Sequence, residues 1–166
     1  MIIHDVEQNS EEWFKLRAGM PTASQFSKIV TTSGAPTQSQ KSFIATLAGE
    51  KYSGKPNDQF SGNSHTDRGH EFEEEALDSY AFVTGTTPEK VGFVTMDNYL
   101  CGCSPDALIG SDGMVEIKTL NFTLFVEIVL FIKRNKRIPA KYFIQPQGQM
   151  MICEREWCDV VFYHPS

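Results

Sequence analysis

Apolar positions recur at helical spacing in the first half of the chain and at strand spacing after residue 90, so the pattern predicts helices followed by a strand meander. Ser10 stands where an N-cap belongs for a helix over 11–18, and Gly19 where its stop belongs. After Pro21 a short helix is expected over 23–30, with Phe26, Ile29 and Val30 inward. A Thr/Ser/Gly/Pro loop over 31–38 leads to a third helix over 40–52, carrying Phe43, Ile44, Leu47 and Ala48. Residues 53–64 are polar and read as a long loop. A fourth helix over 66–84 has the stripe Phe72, Ala76, Tyr80 and Val83, and Gly85 stops it.

The strand-like part begins with 90–95 and 99–104 around the turn Met96-Asp97-Asn98. Residues 107–109 and 114–118 flank 110–113 as a second hairpin. The apolar stretch 121–135 suits helix or strand by content, and its length favours helix. Residues 141–153 are helical in pattern, with Pro146 kinking that helix or marking its true start. A last strand is expected over 157–163. The order predicts a mixed α/β layer fold.

With 166 residues the chain suits one domain, 1–166, with one core. The apolar run 122–132, broken by Glu127, is too short for a bilayer, which takes about 20 residues. The N-terminus has no basic segment followed by an apolar one, so no signal peptide is expected and the location reads as cytoplasmic. A net charge of −6 argues against a simple basic DNA-coating protein. Cys101, Cys103, Cys153 and Cys158 match no common zinc spacing and read as buried free thiols. The histidines (His4, His65, His70, His164) show no ligand spacing.

The chemistry concentrates in Ser104-Pro105-Asp106, ALIGSDGMV and Glu116-Ile117-Lys118. Glu116 and Lys118 are two apart on a strand and share a face, while Val115 and Ile117 turn to the core. A hairpin centred on Ser111 sets Asp106 opposite Glu116, with Cβ atoms about 4.5–5.5 Å apart. Two carboxylates that close repel by roughly 1 kcal/mol in water and by more when partly buried. A divalent cation between them turns repulsion into binding, and carboxylate oxygens suit Mg²⁺. Lys118 beside them can hold an attacking water or a developing negative charge. On spacing alone, a solvated hairpin with ordinary surface charges remains the other reading.

SPDALIGSDGMVEIK resembles the PD-(D/E)xK nuclease motif. The flanking EEWFKLRAG, PTAS, RGHEFEEEA, CSPD, IPAKYFIQPQGQM and WCDVVFYHP, in that order, resemble the lambda-exonuclease or YqaJ-type phage recombination nucleases over nearly the whole chain. The resemblance implies a restriction-endonuclease-like core, a mixed central sheet flanked by helices. It implies a Mg²⁺-dependent DNA exonuclease, with Mn²⁺ a substitute, that resects duplex ends 5′ to 3′ and feeds a single-strand annealing protein. Asp106, Glu116 and the Ile117 carbonyl would be metal ligands, and Lys118 would position or activate the water. Glu73 matches the helical acidic residue that reaches the metal; without the family nothing separates it from Glu71, Glu74, Glu75 and Asp78. Gln145 matches a glutamine that orients the water or the lysine. Arg17, Ser24 and Ser104 match residues that grip a terminal 5′-phosphate, for which a planar guanidinium and hydroxyls are apt.

The same resemblance implies a homotrimeric ring around DNA, with 122–132 a candidate contact surface. Lys133, Arg134, Lys136, Arg137 and Lys141 form a basic cluster that suits either a DNA backbone or a solvated helix end. The chain departs from the lambda-type pattern at Leu124, where a basic residue is usual, at Pro146 directly after Gln145, and at Ser166, where the family commonly continues. It reads there as a short member or a fragment. An endonuclease or nickase of the same fold, or a non-catalytic DNA-binding module built on it, are the competing readings.

Overall fold

A computed structural model of the chain describes residues 1–57 and 64–165, with the backbone alone over 64–71. The elements are β1 (Ile2–His4), α1 (Glu11–Arg17), a 3-10 segment Ala23–Lys28, α2 (Gln40–Ser53) and α3 (Ser64–Thr84). Then come β2 (Pro88–Glu89), β3 (Phe93–Thr95), β4 (Gly102–Cys103), β5 (Ala107–Ile109) and β6 (Gly113–Thr119). α4 (Phe122–Asn135), a 3-10 turn Ala140–Tyr142, α5 (Ile144–Cys153) and β7 (Asp159–Tyr163) complete the order. The expected loop over 53–64, and the side chains of His65, His70 and Glu71, fall largely outside the described residues.

The mixed α/β architecture is as expected, but the strands form two sheets. One is antiparallel, in the order β1-β3-β4; the other runs β2-β5-β6-β7. The second is the mixed sheet, since β6 pairs antiparallel with β5 and parallel with β7. The first includes β1, a three-residue strand whose pattern is too short to register in a periodicity reading. Its register, Ile2↔Thr95 to His4↔Phe93, brings the N-terminus to the middle of the chain.

Side chains of β5 and β6 alternate between two cores. Ala107, Ile109, Val115 and Ile117 pack with Ala76, Leu77 and Tyr80 of α3. Leu108 and Met114 turn the other way, to Ile152 and Cys153 of α5 and to Ala23, Val94 and Cys103. The mixed sheet is therefore covered by α3 on one face and α5 on the other. Burying the Val, Leu, Ile and Met side chains among these stabilises by about 1.5–3 kcal/mol each.

Several local expectations need correction. The segment after Pro21 is a 3-10 helix ending at Lys28, not a helix to 30. On α2 only Phe43 of the apolar set is buried; Ile44 is exposed. On α3 the stripe includes Leu77, while Val83 is exposed. The last strand starts at Asp159, two residues late. Residues 122–135 are indeed helical, with Asn121 as N-cap accepting the Leu124 N–H at 2.9 Å. Pro146 lies in the first turn of α5, where its missing N–H has no helical partner to lose, so it marks a start and not a kink. The thiols are free, with Cys101, Cys103 and Cys153 buried and Cys158 half-buried. Contact with Cys153 and burial hold the Cys103 thiol up, and burial pushes Cys158 to about 12, so both stay protonated and inert. No helix among the described residues is long and apolar enough to cross a membrane.

Candidate active site

The β5–β6 hairpin runs from Ala107↔Val115 to Ile109↔Gly113. Continued one residue outward from the Ala107↔Val115 pair, that register sets Asp106 against Glu116, as the spacing predicts. β5 begins at Ala107, so the Asp106 carboxylate is free of the ladder and turns to accept the Ile117 N–H. The structure thus ties Ile117 to the site through its N–H.

Glu116 is 2% exposed. Its Oε1 accepts from Lys118 Nζ and, at 2.6 Å, from Gln145 Nε2. Lys118 Nζ also donates to Gln145 Oε1 at 3.0 Å, so the three side chains close a triangle. Lys118 meets Glu116 because period-two alternation puts both on one face of β6. Gln145 comes from the first turn of α5, across the core from β6.

Glu73 joins from α3 and lines one cavity with Asp106, Lys90 and Gly92. Burial, then the charges of Glu116 and Glu73, hold the Asp106 carboxyl well above the usual carboxylate range. Hydrogen bonding from Ile117 and the charge of Lys118 offset this only in part. Acidic groups gathered at this cost fit a divalent cation, which reverses the penalty. Among the described residues no three His, Cys, Asp or Glu side chains already stand in metal-holding geometry. Two reasons are visible: Lys118 and Gln145 hold an oxygen of Glu116, and Asp106 is drawn to the Ile117 N–H. The donor set of two carboxylates, a carbonyl and Glu73 is nonetheless chemically suited to Mg²⁺.

Beside this centre lies a second cluster. Trp13 Nε1 donates to Ser104 Oγ at 2.9 Å, and the Arg17 guanidinium stacks over the Trp13 ring at 3.9 Å. Trp13 and Arg17 are four apart on α1 and share a face. Burial pushes the Arg17 guanidinium down to about 10, with Glu50 pulling it back up. It remains a cation at neutral pH, and none of the ion pairs among the described residues involves it. Ser24 bonds Thr22 at 3.2 Å, and Thr22 bridges to Gly102, two residues before Ser104. Arg17 and Ser104 are therefore joined through Trp13, while Ser24 reaches the same strand through Thr22.

Three residues at the site escape a reading of the sequence. Trp13 is signalled only by its spacing from Arg17. Glu50, buried on α2, accepts the N–H groups of Gly19 at 3.0 Å and Asn57 at 2.9 Å. Gln149 donates to Glu116 Oε2 at 2.6 Å, and its one signal is the four-residue step from Gln145. The basic cluster Lys133, Arg134, Lys136, Arg137 and Lys141 is exposed around the end of α4, and Leu124 is half-buried near its start.

Solved structures share this fold. The chain resembles the crystal structure of an alkaline exonuclease, LHK-Exo, from Laribacter hongkongensis, at 31% identity and a TM-score of 0.77, over 93% of this chain and 74% of that one. LHK-Exo in complex with dAMP gives 31% identity and 0.78, over 94% and 75%. A phage related exonuclease from Haemophilus somnus, at 22% identity, shares the fold with a TM-score of 0.60, over 91% and 71%. None of the curated proteins compared with the chain matches it. The YqaJ-like viral recombinase domain matches residues 12–156. A match across most of the chain, with exonuclease structures alike in fold over nine-tenths of it, places the protein: it belongs to the family of YqaJ-like viral recombinase domains.

Proposed function

We propose that this chain is a Mg²⁺-dependent DNA exonuclease that resects duplex ends 5′ to 3′. The observation that carries the reading is the closed set Glu116, Lys118 and Gln145 beside Asp106 and Glu73, in a chain alike to alkaline exonucleases. The whole of 1–166 acts as one nuclease domain with a PD-(D/E)xK core. Asp106, Glu116, the Ile117 carbonyl and Glu73 hold the cation, and Mn²⁺ substitutes. When bound, the metal polarises the scissile phosphate and acidifies water. Lys118 and Gln145 then hold the attacking water beside the phosphorus, and the ammonium offsets negative charge as it develops.

Arg17, Ser24 and Ser104 take the terminal 5′-phosphate. A half-buried guanidinium without an ion-pair partner among the described residues is suited to an anion. Ser104 is two residues from Asp106, so a gripped end would be placed beside the metal centre. The dAMP bound by LHK-Exo agrees with a nucleotide substrate. Duplex ends are the partner, with a single-strand annealing protein downstream. A homotrimer is the assembly proposed, with Phe122, Val126 and Leu130, exposed along one face of α4, as its apolar contact.

The test is cleavage of linear duplex, with and without a 5′-phosphate, against closed circular DNA, in Mg²⁺ or EDTA. The reading requires Mg²⁺-dependent loss of the linear substrate from 5′-phosphorylated ends, with circles intact. Cutting of circles would replace it with an endonuclease. Binding without cleavage in either metal would leave a non-catalytic module.

A further inference from the structure

The two oxygens of Glu116 have different partners. Oε1 meets Lys118 and Gln145, the groups placed at the reaction. Oε2 meets Gln149, which is 1% exposed. The Gln149 Oε1 has no hydrogen-bond partner among the described residues. Turning the amide over would satisfy nothing, since it would set oxygen against carboxylate oxygen at 2.6 Å. An orphaned buried acceptor is destabilising, and an apolar side chain of similar size would avoid it. The amide is therefore explained by what it does to Glu116.

Gln145 and Gln149 are one turn apart on α5, so one helix face gives an amide N–H to each oxygen of a single carboxylate. That face is held in place from behind. Gly148 lies against the Ala23–Lys28 segment, where an added Cβ would stand 2.5 Å from the Phe26 ring and 3.2 Å from Ala23.

We propose that Gln149 is a positioning residue: by holding Oε2 it fixes the carboxylate plane of Glu116, so that Oε1 stays turned toward the working side of the site. The inference rests on the metal-site reading above. Gln149 touches neither substrate nor metal and acts through Glu116. Residues that orient a ligand in this way typically change metal affinity by about 10–100-fold when lost.

The experiment measures Mn²⁺ binding to the whole chain without DNA, by paramagnetic resonance, in wild type and in Gln149→Met, which keeps length and loses the donor. The Mn²⁺ Kd is expected to rise about tenfold or more. The Mn²⁺ concentration for half-maximal cleavage should rise in step, and kcat at saturating Mn²⁺ should fall far less. In EDTA the variant should melt somewhat lower, because Glu116 Oε2 loses its buried donor. Gln147→Met, on an exposed position of the same helix, should change none of these. If Gln149→Met does not fold, Gln149→Asn withdraws the amide by one methylene and reads the same quantities. A Mn²⁺ Kd within twofold of wild type, or lower melting with unchanged Kd, overturns the proposal. A wild-type chain that binds no Mn²⁺ overturns the metal reading and this inference with it. Wild-type binding and cleavage matched by Gln149→Met removes this inference alone.

Discussion

Lys118 and Gln145 are bonded to each other at 3.0 Å while both donate to the same oxygen of Glu116. Groups so coupled are not independent, and their losses should not multiply. Lys118→Ala is expected to lower kcat by about 10²–10⁴-fold with Mn²⁺ binding retained. Gln145→Ala should cost less, and the double variant less than the product of the two. Single-turnover cleavage of linear duplex reads all three; full additivity would show that the triangle has no role in the reaction.

Asp106→Ala and Glu116→Ala should each remove cleavage together with Mn²⁺ affinity, in contrast to Lys118→Ala. The separation is visible by titrating Mn²⁺ without DNA. Near-wild-type rates in Asp106→Ala would show that the centre lies elsewhere.

The raised Asp106 carboxyl makes stability depend on pH. Its folded value lies above the ordinary 3.8, so the folded state holds the proton more tightly than the unfolded state. That contribution is fully present below about 3.8 and is lost as pH rises through the folded value. In EDTA, Asp106→Asn should therefore melt higher than wild type at neutral pH, with the gap closing toward pH 3. For a chain of this size each kcal/mol is about 2–4 °C. Mg²⁺ should raise the midpoint of wild type and leave the variant unmoved. Metal affinity should also weaken as pH falls, since a proton competes for the same oxygens. Melting curves across pH, with and without Mg²⁺, check each statement.

Arg17→Ala should erase the preference for 5′-phosphorylated ends. Truncating one partner of a buried charged pair costs about 2–5 kcal/mol. Trp13→Phe should weaken the same preference by a smaller factor, because Ser104 loses its indole donor while Arg17 keeps an aromatic ring beneath it. The ratio of rates on 5′-phosphate and 5′-hydroxyl duplex is the measurement. Equal rates in wild type would remove the phosphate pocket and leave the hydrolytic centre standing.

Gly148→Leu should be among the most damaging changes away from the acidic centre. Its side chain would enter the space of Phe26 and Ala23. Overpacking of this kind costs about 1–3 kcal/mol. Displacing α5 would also draw Gln145 and Gln149 off Glu116, so cleavage should fall further than the loss of stability explains. Thermal melts and cleavage rates on the same preparation separate the two.

The juxtaposition of Asp106, Glu116 and Lys118 was readable in the sequence because its geometry is local. Alternation of period two puts Glu116 and Lys118 on one face, and a hairpin centred on Ser111 sets Asp106 opposite Glu116. Both follow from strand geometry over thirteen residues, and the ladder observed obeys them. Resemblance to known nucleases extended this to Glu73 and Gln145, which no periodicity could single out. The rest needed tertiary contacts between residues far apart in the chain. β1 exists because Ile2–His4 finds β3, some ninety residues on. Trp13 meets Ser104 because α1 packs against the end of β4. Gln149 meets Glu116 because Gly148 lets α5 lie close to the Ala23–Lys28 segment. Local pattern specifies which face of an element is apolar; which partner that face meets depends on the packing of the whole chain.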